Sequence, residues 1–331
     1  MVMWKITSGR GSRLTREFVD KGVVAVGLDD ETDFTSVSSR DEMRQLVARR
    51  VPSLNEKQII VAGSQWWRFL DEVKIGDEVL VYEPQTRNYH HGEITGSARF
   101  DLGLIPELPV VRSVDWCSEV SRDALETTTK NSLGAVLTLF KVPEDAEADV
   151  RRVVNGEKSV AGATETTDLE IEAEFDPFAD IEGLALERVK DRINALSWDE
   201  MQELVAALLR ALGYRTSISA AGPDRGKDII ASRDGFGFER PRIVVEVKHR
   251  RGQMGSQEIR SFLGGRHADD RGLYVSTGGF TKDAHYEAER ASTVTHLMSL
   301  DELAKAVIEQ YDKLDEEGRR LLPLTKIYWP A

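Results

Sequence analysis

The sequence predicts an α/β protein of two domains: a β-rich module over residues 1–142 and a C-terminal αβββαβ core over residues 183–331. An acidic linker over 143–182 joins them. Three observations predict this. A chain of 331 residues suggests about two domains. Short β-branched and aromatic runs between glycine turns crowd the first part, whereas beyond Leu184 helical stripes and apolar strands follow in the order helix, three strands, helix, strand. Between them lie Glu144, Asp145, Glu147, Asp149, Glu165, Asp168, Glu170, Glu172, Glu174 and Asp176, with Ala and Thr interspersed. That is the composition of a solvated tether, extended or partly helical.

The N-terminal elements read in order. Met3-Trp4-Lys5-Ile6 is a strand, and Ser8 to Arg13 a flexible basic loop. Leu14 to Lys21 is a short helix that stops at Gly22, and Val23 to Gly27 a strand. Ser39-Arg40-Asp41-Glu42 has capping-box spacing and opens a helix to about Arg50. Trp66, Trp67, Phe69 and Leu70 fit a partly buried helix. A turn and strand are expected over Ile75–Tyr82, and strands from His91, over Arg112–Trp116 and over Leu137–Val142, with a turn at Arg87-Asn88-Tyr89. His90-His91 has no third ligand in any metal-binding pattern and reads as turn and strand.

In the C-terminal part Leu184, Val189, Ile193 and Leu196 form a helical stripe. Ser197-Trp198-Asp199-Glu200 is a capping box, followed by Met201, Leu204, Val205, Leu208 and Leu212 at helical spacing and by a stop at Gly213. Tyr214 to Ser219 is a strand. Further along, Gln257–Phe262 and Lys282 to about Ala291 are helical, while Gly272–Thr277 and Thr295–Met298 are strands. Ser299-Leu300-Asp301-Glu302 caps another helix, and Leu321 to Trp329 reads as a last strand.

The chemistry concentrates between Gly222 and Arg250. Ile229-Ile230-Ala231 and Ile243 to Val247 are β-branched runs joined by a polar turn, hence a hairpin. Side chains alternate along a strand, so Glu246 and Lys248 share a face while Val247 points the other way. Pairing of the strands brings Asp228 toward Glu246, 18 residues on. Two carboxylates and an amine around one point suit Mg²⁺, or Mn²⁺ in its place, with room left for water and phosphate. Such a metal stabilises charge on a scissile phosphate, and Lys248 would act on the attacking water. The bland alternative is that these are ordinary polar residues of a hairpin.

The run Gly222-Pro223-Asp224-Arg225-Gly226-Lys227-Asp228 with Val245-Glu246-Val247-Lys248-His249-Arg250 resembles the PD-(D/E)xK signature of Mrr-type restriction endonucleases. Leu273 to Ala284 resembles the segment that follows the active site in the same family, and the order helix, three strands, helix, strand is that of a restriction-endonuclease-like core. The resemblance covers roughly Leu184 to the C-terminus. It implies a DNA endonuclease in which Asp228 and Glu246 hold the metal, with the Val247 carbonyl as a further ligand, and Lys248 serves the water. Asp224 competes for the first metal position, but its Gly-Pro-Asp-Arg-Gly setting is that of a turn, and Asp228 is preferred. The family also carries an acidic residue near the metal on its first helix; Glu203 is the candidate, with solvent exposure as the plain alternative. Arg250 and Arg251, and the strand-end hydroxyls of Ser276 and Thr277, are candidates for phosphate contact, or in the hydroxyls' case for capping the next turn.

Gly76 to Tyr82 followed by His91 to Gly96 resembles the PUA-like barrels of the EVE and YTH group. That resemblance implies a pocket for a flipped, modified base, built from aromatics and a few polar groups. Trp4, Trp66, Trp67, Tyr82 and Tyr89 are the available aromatics, with Arg10 and Ser12 as polar partners. Aromatics in a small β domain are more often core.

Composition sets the bounds. One cysteine, Cys117, excludes an intramolecular disulfide and a multi-cysteine zinc site and fits a reducing cytoplasm. No apolar run reaches membrane-spanning length and the opening residues lack a signal-peptide pattern, so a cytoplasmic location is expected. Net charge of −13 tells against indiscriminate nucleic-acid binding, although basic residues gather near the hairpin at Arg240, Arg242, Lys248, Arg250, Arg251, Arg260 and Arg266. The expectation is a Mg²⁺-dependent endonuclease that restricts foreign or base-modified double-stranded DNA, acting as a homodimer or larger assembly. A structure-specific repair or recombination nuclease and a non-catalytic nucleic-acid-binding module are the alternatives.

Overall fold

The computed structural model describes residues 1–29, 31–135, 137–157, 176, 180–219, 228–234, 238–264, 266–267 and 269–327. The chain divides into two compact units, Met1–Leu184 and Ala185–Ala331. No helix among the described residues is long and apolar enough to cross a membrane.

The first unit is β-rich. Its strands are β1 (Met3–Ile6), β2 (Val23–Val26), β3 (Glu78–Glu83), β4 (Asn88–Ile94), β5 (Arg99–Phe100), β6 (Val110–Ser121) and β7 (Leu139–Lys141). They form one sheet in the order β2-β6-β4-β3-β1-β7, with β5 on β6. Among the described strands of this unit, only β1 and β3 pair in parallel. The expected short strand at Arg112–Trp116 is a 12-residue β6, long enough to serve β2, β4 and β5 at once. The turn expected at Arg87-Asn88-Tyr89 gives way at Asn88 to β4, because Tyr82 and Tyr89 face each other across the hairpin and extend its ladder.

Helices α1 (Thr15–Asp20), α2 (Arg40–Arg50) and α3 (Glu56–Trp67) cover this sheet. Ser39 caps α2 as its spacing predicts, and Asn55 with Gln58 forms a capping box on α3. Two helices follow, α4 (Thr127–Leu133) and α5 (Glu144–Val154). The first part of the acidic stretch is therefore α5 and not tether. Ala146 and Val150 place one apolar face of it on Met3, Leu80, Tyr82 and Val120, and its acids occupy the other positions. Most of the remaining acidic stretch, 158–175 and 177–179, lies outside the described residues.

In the second unit α6 (Ile181–Asn194, spanning the division) and α7 (Trp198–Ala211) lead into β8 (Arg215–Ile218), β9 (Ile229–Ser232) and β10 (Ile243–Lys248). Then come α8 (Ser256–Leu263), β11 (Arg271–Ser276), α9 (Lys282–Glu289), β12 (Thr295–Ser299), α10 (Leu300–Glu309) and α11 (Glu316–Leu321). The sheet order is β12-β11-β10-β9-β8; β8, β9 and β10 run antiparallel, while β10, β11 and β12 are parallel. This is the αβββαβ order expected from the sequence.

Each face of the sheet has its own core. Val245, Val247, Leu273 and Val275 pack with Met201, Leu204, Val205 and Leu208 of α7 and with α10. Tyr274 on the opposite face packs with Met254, Phe262, Phe280 and Ala284. The strand expected over Leu321–Trp329 is absent from its described part. Asp315 caps α11 instead, Leu322 is buried in the α7 core, and residues 328–331 lie outside the described residues.

Candidate active site

The site grows from the β9–β10 hairpin. Its register pairs Ile229 with Val245, Ile230 with Val244 and Ala231 with Ile243. One step outward, Asp228 stands opposite Glu246, and the Asp228 N–H donates to the Val245 carbonyl at 2.9 Å. The Asp228 carboxylate is fixed by a second bond, accepting from the Val247 N–H at 2.6 Å. Both carboxylates are buried, Asp228 at 6 % and Glu246 at 8 % exposure. The sequence places them here because the β-branched runs on either side have only one register that keeps Val245 and Val247 in the core.

Lys248 follows Glu246 on the same face, and its Nζ lies 2.7 Å from Glu246 Oε1. On the other side Arg266 Nη2 is 3.9 Å from Glu246 Oε2, its guanidinium stacked 4.1 Å from the Phe262 ring centroid. Burial raises the Glu246 carboxyl above its ordinary range; the Lys248 bond opposes the shift, and the Asp228 charge adds to it. Two carboxylates close enough to repel make a site that a divalent cation would relieve. With the Val247 carbonyl they give few protein donors, and among the described residues no group of three or more His, Cys, Asp or Glu side chains gathers as a metal site. This donor set fits a cation that keeps several waters, as Mg²⁺ does, and not a closed structural site.

The loops at the strand ends are tied together. The Thr277 N–H donates to the Lys248 carbonyl at 3.1 Å. A Cβ on Gly278 would stand 2.1 Å from the Gly252 carbonyl oxygen, so only glycine lets the two loops approach this closely. His249 Nε2 donates to the Leu196 carbonyl at 2.8 Å, which leaves Nδ1 to accept from Thr277 Oγ1 at 3.3 Å. Thr277 is thus held within the fold, and Ser276 is fully buried, so the phosphate contact expected of Ser276 would require it to emerge from the interior. Arg250 and Arg251 are exposed at the exit of β10, and Arg250 pairs with Glu258 at 3.2 Å.

Other basic residues near the hairpin are committed to ion pairs. Arg240 and Arg242 both bond Asp270, which is 1 % exposed, at 2.5 and 2.9 Å. Arg260 lies 3.1 Å from Glu287. Gly222 to Lys227, including Asp224, lie outside the described residues.

Glu203, the acidic candidate on the helix before the hairpin, is engaged by an arginine. Its Oε1 accepts from Arg210 Nη2 at 2.5 Å, and Arg210 also bonds Asp315 and Thr216. Its neighbour Gln202 is the polar residue that α7 buries, at 3 % exposure, with an Nε2 that meets no hydrogen-bond acceptor. Sequence reasoning missed it, although Gln202 lies three residues before Val205 and so on the apolar stripe.

In the first unit Trp4, Trp66, Tyr82 and Tyr89 are all buried, at 4, 1, 8 and 1 % exposure. They fill the cores and present no open stacking face: Trp4 donates to Asp77 at 3.0 Å, and Tyr82 and Tyr89 contact each other at 4.8 Å between ring centroids. Arg10, which is exposed, and Ser12 lie in a 3-10 turn. Trp67 is half-buried and lines a groove of about 410 Å³ with Leu70, Lys74, Ser97 and Arg112. Among the described residues the other four candidate aromatics are packed in the core, and Trp67 borders the groove.

Residues 193–307 match the family model described as a restriction endonuclease, Mrr_cat. The second unit carries a restriction endonuclease domain of the Mrr type. The match spans α7 through β12, the whole sheet that carries Asp228, Glu246 and Lys248. Residues 4–141 match a separate family, DUF8426, described as a domain of unknown function. Over 98 residues the chain is 31% identical to the uncharacterized protein y4cE of Sinorhizobium fredii (strain NBRC 101917 / NGR234). That alignment covers 28% of this chain and 25% of the relative, so the shared part is about a quarter of the relative's length. Among solved structures, the MspJI restriction endonuclease in complex with a 27-mer oligonucleotide is 15% identical with a TM-score of 0.32, covering 92% of this chain and 75% of the other. The DNA modification-dependent restriction endonuclease AspBHI is 14% identical with a TM-score of 0.33, covering 80% and 72%.

Proposed function

We propose that this Mrr-type domain makes the chain a Mg²⁺-dependent DNA endonuclease, with Asp228 and Glu246 as metal ligands and Lys248 as the group that handles the attacking water. The observation that carries the reading is the register: Asp228 opposite Glu246, both buried, with Lys248 two residues on and on the same face. A bound Mg²⁺ would supply positive charge for the scissile phosphate and lower the pKa of a coordinated water. Asp228 is oriented for this by the Val247 N–H. Lys248, 34 % exposed in its side chain, reaches the surface where a phosphodiester would lie and can orient the water or neutralise developing charge. Arg250 and Arg251 at the strand exit supply backbone contacts. The expected product is a 5′-phosphate.

The role is restriction of foreign, base-modified double-stranded DNA, with the first unit, a PUA-like module, as reader. Support for a reader is the Trp67 groove, where an aromatic edge and the buried Arg112 border a cavity. One site cuts one strand, so double-strand cleavage would require a homodimer or larger assembly. The test is digestion of two otherwise identical plasmids, one carrying methylated or hydroxymethylated cytosine, with Mg²⁺ and with Lys248→Ala alongside. Cutting of the modified plasmid alone, lost in the variant, supports both halves. Equal cutting of both retains the nuclease and removes the reader, and no cutting of either by the wild-type protein counts against the whole reading.

A further inference from the structure

Strand β11 lies in parallel beside β10, and its register pairs Tyr274 with Glu246 and Ser276 with Lys248. The partners face the same side of the sheet, since Leu273 and Val275 go with Val245 and Val247 into the opposite core. Two hydroxyls therefore run alongside the acid and the amine. Both are fully buried, and neither Tyr274 Oη nor Ser276 Oγ has a hydrogen-bond partner.

A buried hydroxyl without a partner loses its hydration and receives nothing in exchange, so it costs stability. Phenylalanine would fill the space of Tyr274 without that cost. The ring itself is well held, edge-on to Phe262 at 5.2 Å and to Phe280 at 5.8 Å between centroids. The packing thus accounts for the ring and leaves the hydroxyl unexplained. Burial, and next the negative charge of Glu246, push the ionisation of Tyr274 upward, so the group remains a neutral O–H donor on the strand position paired with Glu246.

Glu246 meanwhile is engaged by Lys248 at 2.7 Å. That bond must loosen before Lys248 can serve a water, and Glu246 Oε1 then needs another donor, since Arg266, at 3.9 Å, lies toward Oε2. We propose that Tyr274 is a positioning residue for Glu246: its O–H takes up one carboxylate oxygen when Lys248 turns to the attacking water, and so orients the other oxygen toward the metal. This role rests on the nuclease reading above. A metal ligand commonly depends on such an outer hydrogen bond for its orientation, and loss of one typically lowers metal affinity about 10–100-fold.

The test is Tyr274→Phe in the full chain, read in three ways. Thermal unfolding in EDTA is expected to show a Tm equal to the wild type or higher by about 2–4 °C, because an unsatisfied group has been removed. Calorimetric titration with Mn²⁺ in the presence of an uncleavable oligonucleotide is expected to show metal affinity reduced about 10-fold or more. Single-turnover cleavage at saturating Mg²⁺ is expected to show a slower chemical step with unchanged DNA affinity. Unchanged metal affinity and an unchanged rate would overturn the role, and so would a lowered Tm with wild-type metal affinity, which would make the hydroxyl merely structural. Wild-type protein that neither binds Mn²⁺ nor cuts would overturn the nuclease reading itself, and this role with it. Wild-type cutting with an indifferent variant removes Tyr274 alone.

Discussion

Lys248 Nζ lies 2.7 Å from Glu246 Oε1, so the amine and the acid of the motif are bonded to each other across two residues of one strand. The pair is possible because the strand period of two puts both on one face. It keeps a buried carboxylate compensated, and it places the amine where a metal-bound water would have to be reached. Lys248→Ala should therefore abolish the chemistry and spare the binding. A loss of about 10²–10⁴-fold in single-turnover cleavage is expected, with DNA affinity within a few-fold of wild type.

Acid should weaken the site before it unfolds the domain. Burial raises the Glu246 carboxyl above 4.5, so near that pH the folded state holds a proton that the unfolded state releases. The resulting contribution to stability is present below 4.5 and is lost as pH rises through the folded value. Under the proposed role of Glu246, metal binding would have the opposite sign, since it would need the carboxylate. Calorimetry in buffers of different ionisation enthalpy should show proton release on metal binding in the window just above 4.5, with affinity rising with pH across it. Glu246→Gln should remove the proton release and most of the affinity.

Glu203 offers a contrast. Its bond to Arg210 places it in a network with Asp315 and Thr216. Glu203→Gln is expected to leave cleavage within about 2-fold and to cost no more than about 1 kcal/mol in denaturant unfolding, the usual scale for a partly exposed pair. A large loss of activity at full stability would return Glu203 to the metal site.

In the first unit, Lys5 is buried where β1 pairs with β7, with Nζ 2.7 Å from Thr7 Oγ1. Burial, and next the charge of Arg122, lower its pKa to about 8. The unfolded state then binds more protons than the folded state between about 8 and 10.5, so stability should rise with pH across that window. The gain is roughly 3 kcal/mol in all. Denaturant unfolding of wild type and Lys5→Met at a series of pH values checks this; the difference between the two curves should shrink as pH passes 8 toward 10.5.

Arg250 and Arg251 are exposed at the β10 exit. Replacing each by Ala should lower the slope of log affinity against log salt by about 0.9 for every phosphate left without its cation, and should not change which DNA is cut. Filter binding at several salt concentrations in the Lys248→Ala background measures the slope free of cleavage.

The second unit's architecture, and the pairing that brings Asp228, Glu246 and Lys248 of the candidate site together, are legible in the chain alone. Caps at Ser197, Thr281 and Ser299 set where helices begin, and β-branched runs set the strands. These are local signals, and the period of two then dictates that Glu246 and Lys248 share a face. The rest depends on partners distant in sequence, which packing alone selects. Glu203 and Gln202 are adjacent on one helix, and which of them is buried follows from how α7 lies on the sheet. Trp4, Trp66, Tyr82 and Tyr89 read along the chain as core or as pocket, with core the commoner use in a small β domain, and only packing shows that the space is filled. Tyr274 lies in the run Leu273 to Ala284 that carries the family resemblance, but nothing in that run marks it for a role of its own. Its significance comes from the register of two parallel strands joined through α8, a pairing that no local pattern in the chain encodes.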